Sequence, residues 1–242
     1  VGKTKTGIEL AKAFNGEIVS GDSVQVYRGM DIGSAKVTVE EAEGIPHHLI
    51  DICDPDEPMS VAKFQQGARQ AIDDIYARGK LPILVGGTGL YIRSILYDYE
   101  FAERPVNEAL RASLEDEASR LGADALHERL RELDPRRAEQ IHPNNVRRVI
   151  RALEVAMQGD SQAVDSAPSE HYAYKLFVLH ADRDVLYERI NERVDVMVET
   201  GLVDEVKHLL NAGYENTQAM RAIGYKEVVP YIEGRITEER MR

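Results

Sequence analysis

A single cysteine, Cys53, leaves the chain without an internal disulfide or the thiolate set of a zinc finger. Also missing is any apolar run near the roughly 20 residues that span a bilayer. No charged-then-apolar leader precedes the first helical pattern, so a soluble, cytoplasmic protein is expected. Basic residues are in short supply: 30 Lys and Arg against 42 Asp and Glu leave a formal net charge of −12. That balance argues against a general nucleic-acid coat. What is present suffices for a core. Of 242 residues, 43% are hydrophobic and 30% charged, which disfavours low-complexity disorder and fits one large domain or one domain plus an insert.

The acid excess is uneven. Residues 129–151 hold Arg129, Arg131, Arg136, Arg137, Arg147, Arg148 and Arg151 against Glu132, Asp134 and Glu139, with no lysine. An Arg-only stripe on an acidic body suggests a local phosphate contact, set against the plainer reading of a solvated face with intrahelical pairs such as Arg129 with Glu132.

Periodicity places a helix over 4–14, a short buried strand over 17–20 and a polar turn at Gly21-Asp22-Ser23. Ser60 caps an amphipathic helix over 61–78 that stops at Gly79. A second apolar strand over 82–85 runs into Gly86-Gly87-Thr88-Gly89 and a helix over 90–96. This alternation is the rhythm of a parallel α/β sheet. From about residue 104 the rhythm changes to helical patterns over 107–121, 123–133 and 144–158, then a polar loop over 159–170. Lys175-Leu176-Phe177-Val178-Leu179 restores a strand, and 183–200 a helix with Val194, Met197 and Val198 as its core stripe. The expected layout is a discontinuous α/β core, 1–103 with 171–242, and a helical insertion, 104–170.

Val1-Gly2-Lys3-Thr4 matches the last four positions of the phosphate-binding pattern G-x-x-x-x-G-K-[ST], and the opening at Val1 suggests a trimmed product. In such a loop, backbone N–H groups at a helix N-terminus cradle phosphate oxygens, the lysine neutralises them and the hydroxyl holds Mg²⁺. Gly-Lys-Thr alone is short; its place before a helix and a buried strand strengthens it. Asp22-Ser23-Val24-Gln25 lies past a strand, where ligands bind in open α/β sheets, so Asp22 is either a base or metal ligand or a turn aspartate. Thr88 is either a site hydroxyl or a plain N-cap.

Four blocks carry a resemblance: Asp22-Ser-Val-Gln-Val-Tyr-Arg-Gly-Met-Asp-Ile-Gly-Ser-Ala-Lys36, Gly86-Gly-Thr-Gly-Leu-Tyr91, Ile141-His-Pro-Asn-Asn145 with Arg148 and Arg151, and Ala222-Ile-Gly-Tyr-Lys226. In order, over nearly the whole chain, they resemble the bacterial type of the tRNA dimethylallyltransferase (tRNA isopentenyltransferase) family. Ser34 stands where Thr is usual in that family, Asn145 where Asp is common, and a basic C-terminal segment is expected beyond Arg242. The resemblance implies a P-loop, kinase-like parallel sheet core with a helical tRNA-binding insertion. It implies transfer of a dimethylallyl group from dimethylallyl diphosphate to N6 of the adenosine 3′-adjacent to the anticodon, adenosine-37. Val1, Gly2, Lys3 and Thr4 would then bind diphosphate, Thr4 with Mg²⁺, and Asp22 and Thr88 would be catalytic. Contacts to tRNA would come from Asp22, Ser23, Val24, Gln25, Thr88, Arg111, Arg147, Arg148, Val149, Ile150, Arg151, Arg221, Gly224, Tyr225 and Lys226. The partner is the tRNA anticodon stem-loop, no membrane is involved, and a monomer is expected.

His47-His48 lacks Cys or carboxylate at ligand spacing and reads as a structural pair. Tyr91 and Tyr225 either stack on a base or line the pocket wall. Three rivals stand beside the resemblance: an isopentenyltransferase acting on free AMP, ADP or ATP, an ATP-dependent P-loop kinase, and a non-catalytic RNA-binding domain.

Overall fold

A computed structural model describes residues 2–97, 99, 107–157, 169 and 171–242. Helix α1 (Lys3–Phe14) buries Gly7, Ile8 and Ala11 and ends on Asn15 at φ 50°, a residue type that tolerates the left-handed region. Strand β1 (Gly16–Gly21) is buried at every position. Helix α2 (Val39–Ala42) opens with a capping box between Thr38 and Glu41. Strand β2 (His47–His48), helix α3 (Val61–Ala77), strand β3 (Leu81–Gly86) and helix α4 (Gly89–Leu96) follow. The cap expected at Ser60 is present, its hydroxyl accepting the Lys63 N–H at 3.2 Å.

The three strands form a parallel sheet in the order β2-β1-β3. Gly21 faces Gly86 in the β1–β3 register, and a Cβ on Gly86 would lie 2.2 Å from the Gly21 carbonyl oxygen. Only glycine permits that approach. Both strands therefore end at one level, and the turns after them share the carboxyl edge of the sheet.

Alternation along β2 sends the adjacent histidines to opposite faces. His47 is in register with Ile18 and His48 with Val19, so His48 shares a face with Glu17 and meets its carboxylate at 2.7 Å. Glu17, only 1% exposed, also accepts from Arg78 at 2.5 and 2.8 Å and from Lys80 at 2.8 Å. The Arg78 guanidinium holds this carboxyl well below the usual carboxylate range. Because the folded-state value is depressed, the stabilisation is present above the unfolded value and fades as pH falls below it. Glu17→Gln is expected to cost about 2 kcal/mol at pH 7. In urea unfolding, its gap from the unsubstituted chain should narrow once the pH drops below about 4.

The chain divides into two compact units, Val1–Tyr99 with Ser166–Arg242 and Glu100–Asp165. The smaller unit is helical: α5 (Glu108–Leu121), α6 (Ala123–Leu133), α7 (Pro135–Gln140) and α8 (Val146–Met157). Leu114, Leu126, Leu130, Val149, Ile150 and Leu153 form its core. Helix α7 was not expected; Pro135 at its first turn and Asp134, whose carboxylate accepts the Arg137 N–H, account for it. In the larger unit, α9 (Arg183–Glu199), α10 (Leu202–Asn211), a 3₁₀ turn (Ala219–Arg221), α11 (Val228–Ile232) and α12 (Glu238–Met241) complete the chain. Phe64, Tyr27, Met30, Val206 and Tyr225 lie in one core cluster there.

Two expectations need correction. Residues 175–179 form no strand: the backbone pairs with nothing among the described residues, and Leu176, Phe177 and Val178 are 60%, 70% and 82% exposed. An apolar run specifies strand propensity but not a hydrogen-bonded neighbour, and a strand requires both. The helix over 183–200 forms but buries no residue fully; Met197 and Val198 pack half-buried against the core. The polar loop over 159–170 lies, save Ser169, outside the described residues.

Candidate active site

Three chain segments converge beyond the carboxyl edge of the sheet. Helix α1 begins after Gly2, held at φ 73°, without a side-chain cap, so its first N–H groups are open to an anion. The turn after β1 supplies Asp22, Ser23 and Gln25, and the turn after β3 supplies Gly87 and Thr88. Lys3, Thr4, Ser20, Asp22, Gln25 and Gly86 line a cavity of about 50 Å³. A Cβ on Gly87 would sit 3.3 Å from the Lys3 ammonium, so that charge rests against the second turn. Val1 lies outside the described residues.

Asp22 closes its turn with one carboxylate oxygen and leaves the other open. Its Oδ1 accepts the Val24 N–H at 2.8 Å and the Gln25 N–H at 3.3 Å, the turn-closing role. Its Oδ2 takes no hydrogen bond among the described residues, and the side chain lines the cavity. Thr88 stands at the N-cap of α4 but does not cap it. Its Oγ1 accepts the Ser23 N–H at 3.1 Å and lies 3.3 Å from Ser23 Oγ, tying the two turns together.

Gln25 is held by the protein on both ends of its amide. Ser20 Oγ donates to its Oε1 at 3.1 Å, and its Nε2 donates to the Ser34 and Ala35 carbonyls, each at 3.2 Å. Its amide thus braces the turn, with both N–H groups used and one acceptor site on Oε1 left at the cavity. Val24 gives its N–H to Asp22 and packs half-buried against the core. Ser20 and His47 also line the cavity and were not anticipated there. Ser20 lies on the Ile18 face of β1 and His47, on β2, is in register with Ile18, so period-two alternation was the signal that could have found Ser20.

The aromatic candidates are committed elsewhere. Tyr91 stacks on Phe64 with ring centroids 4.1 Å apart, and burial pushes its hydroxyl up to about 12. Tyr225 is fully buried and donates to Glu205 at 2.7 Å, so neither ring is a base platform. Beside Tyr225, Arg221 and Lys226 are exposed, while the Gly224 N–H donates to Glu227 at 2.9 Å.

In the helical unit, Arg147, Arg148 and Arg151 are exposed along α8. Val149 and Ile150 are not available as contacts through their side chains, because both point into the core of that unit, 0% and 3% exposed. Arg111 is held bidentate by Glu154, both bonds at 3.0 Å, and Arg151 joins the same carboxylate at 3.1 Å. Arg129 pairs with Glu117 at 2.5 Å rather than with Glu132, and Arg131 pairs with Glu128.

No group of three or more His, Cys, Asp or Glu among the described residues could cage a metal, and no helix among them is long and apolar enough to cross a membrane. The donor set at the cavity, a threonine hydroxyl and a carboxylate, is hard oxygen, which suits Mg²⁺ when a ligand supplies further oxygens.

The model of the family described as IPP transferase matches residues 25–242. A tRNA dimethylallyltransferase of an Exiguobacterium strain is 78% identical over 240 residues, spanning 99% of this chain and 77% of that protein; one from Oceanobacillus iheyensis is 54% identical, spanning 97% and 76%. Among solved structures, the full-length tRNA isopentenylpyrophosphate transferase of Bacillus halodurans superposes with a TM-score of 0.71 at 50% identity, covering 99% of this chain and 76% of that one. A eukaryotic dimethylallyltransferase acting on tRNA reaches 0.78 at 30% identity, covering 99% and 62%. On that family match and those identities, read beside the P-loop-type core and its two turns, the chain belongs to the IPP transferase family.

Proposed function

We propose that this chain transfers a dimethylallyl group from dimethylallyl diphosphate to N6 of the adenosine immediately 3′ of the tRNA anticodon. The observation that carries this assignment is one cavity lined by Lys3, Thr4 and Asp22, with Asp22 Oδ2 uncommitted. Lys3 and the open N–H groups of α1 hold the diphosphate. As the allylic C–O bond breaks, negative charge gathers on the leaving diphosphate, so a cation fixed there favours the transition state over the ground state. The new bond joins that carbon to N6, whose lone pair is otherwise delocalised into the ring. Asp22 Oδ2 takes the N6 proton as the bond forms. Thr88 keeps Ser23 and the Asp22 turn beside the second glycine turn. Thr4 Oγ1 would hold Mg²⁺ together with diphosphate oxygens, and the ion supplies further charge neutralisation there.

A stacked adenine cannot reach such a cavity, so the target base must be extruded. The exposed arginines of α8 favour a polynucleotide acceptor over free AMP, because they offer phosphate contacts a mononucleotide does not need. Arg148→Ala is expected to weaken tRNA binding and to make the dependence of log affinity on log salt shallower by about one contact; filter binding across a salt series measures it, and an unchanged slope removes Arg148 from the interface. Arg221 and Lys226 are proposed as further backbone contacts. The proposal carries with it a cytoplasmic, monomeric enzyme.

The test is incubation with dimethylallyl diphosphate, Mg²⁺ and either unmodified tRNA or AMP, followed by mass spectrometry of the adenine. A prenyl gain on tRNA is expected. A gain on AMP alone overturns the acceptor, and phosphate transfer from ATP overturns the reaction.

A further inference from the structure

Glu205, in the first turn of α10, lies outside every motif that led to the site, 172 residues from one of its partners. Its carboxylate accepts four hydrogen bonds. Oε2 takes the N–H groups of Asp31 at 3.0 Å and Ile32 at 2.8 Å; Oε1 takes the Gly33 N–H at 3.1 Å and the Tyr225 hydroxyl at 2.7 Å. Two acceptor sites on each oxygen are filled, which a carboxylate provides and an amide does not. Three successive backbone N–H groups form a concave donor surface of the kind that selects an anion. Here the anion is a side chain of the same protein.

The segment so held is strained and connected. Ala35 sits at φ 45°, a left-handed conformation that a β-carbon disfavours and that persists only when its surroundings over-determine it. Gly33 lies flat against Tyr225; a Cβ there would come within 2.6 Å of the ring. Beyond Gly33, the Ser34 and Ala35 carbonyls anchor the Gln25 amide, and the Gln25 N–H anchors Asp22 Oδ1. An unbroken run of hydrogen bonds and backbone thus joins Glu205 to the carboxylate at the cavity. Lys36 adds a second tether, to the Asp31 and Asp51 carboxylates at 2.5 Å each, but these pairs engage side chains and leave the three backbone N–H groups to Glu205.

Resting on the prenyl-transfer assignment above, we infer that Glu205 is a positioning residue for that reaction: its clamp on Asp31–Gly33, with Tyr225, fixes the Gln25–Asp22 turn so that Asp22 Oδ2 faces the cavity. The clamp touches neither Lys3 nor Thr4, so it governs turnover and not diphosphate binding. Misplacing a reacting group by about an ångström from a distant site can cost up to about 10²-fold in rate.

Glu205→Gln keeps the side-chain length but replaces one oxygen's two acceptor sites with a donor. It should lower kcat on tRNA by about 10-fold or more while KM for dimethylallyl diphosphate stays within about twofold. Tyr225→Phe removes one bond of the four and should lower kcat by less. Hydrogen exchange on both variants should quicken at the Asp31, Ile32 and Gly33 amides and stay unchanged in β1 and β3, which separates a released segment from a damaged fold. Quicker exchange at those amides with kcat unchanged in both variants overturns the positioning role alone. A kcat loss matched by faster exchange throughout β1 and β3 assigns Glu205 to stability and also overturns it. Absence of prenyl transfer by the unsubstituted chain overturns the assigned reaction, and this role with it.

Discussion

Asp22→Asn lowers kcat by about 10²- to 10⁴-fold, the range of a lost general base, and leaves tRNA affinity nearly unchanged. Asparagine retains an oxygen that can accept the Val24 and Gln25 N–H groups, as Asp22 Oδ1 does, so the turn keeps its shape. What goes is the group that removes the N6 proton. Single-turnover measurement with saturating dimethylallyl diphosphate isolates that step, and turnover near the unsubstituted value would reject Asp22 as base. Asp22→Ala is the poorer test, because it also opens the turn and releases Gln25, confounding chemistry with placement.

Lys3→Ala is the second large effect. Its ammonium sits at the start of α1 against Gly87 and lines the same cavity as Asp22. Removing a preorganised cation from a developing anion costs on the order of 10²- to 10³-fold in kcat. Unlike Asp22→Asn, it should raise KM for the diphosphate as well, since the charge already meets the ground-state anion. A rise in KM with unchanged kcat would mean uniform binding, with no special role as the C–O bond breaks. The pair of variants thus divides the reaction: one carboxylate for the acceptor, one ammonium for the leaving group.

Much of the site was legible because it follows from position along strands. Asp22 and Thr88 each follow the end of a strand of the sheet, and Gly86 had to be glycine once β1 and β3 came together. The family match and the parallel order β2-β1-β3 agree with the α/β core expected from the alternating pattern. Other features were hidden for physical reasons. Val149 and Ile150 entered as contacts only because a motif spans them; the helical period already groups them with Val146 and Leu153 on the inward face of α8, opposite the solvent-facing arginines at 147, 148 and 151. It could not say that residues 175–179 lack a partner, because pairing is a non-local property. Nor could any local pattern reveal Glu205, whose four donors come from Tyr225 and a distant loop. The Ala222–Lys226 block likewise marks Tyr225 without saying which way its ring points, and the ring lies in the core.

The most direct measurement is a crystal structure of the chain with an anticodon stem-loop and a non-cleavable dimethylallyl diphosphate analogue. The flipped adenine should place N6 about 2.6–3.2 Å from Asp22 Oδ2, with the diphosphate on Lys3 and the start of α1. An Asp22 carboxylate turned away from N6, or the diphosphate lodged elsewhere, would contradict it.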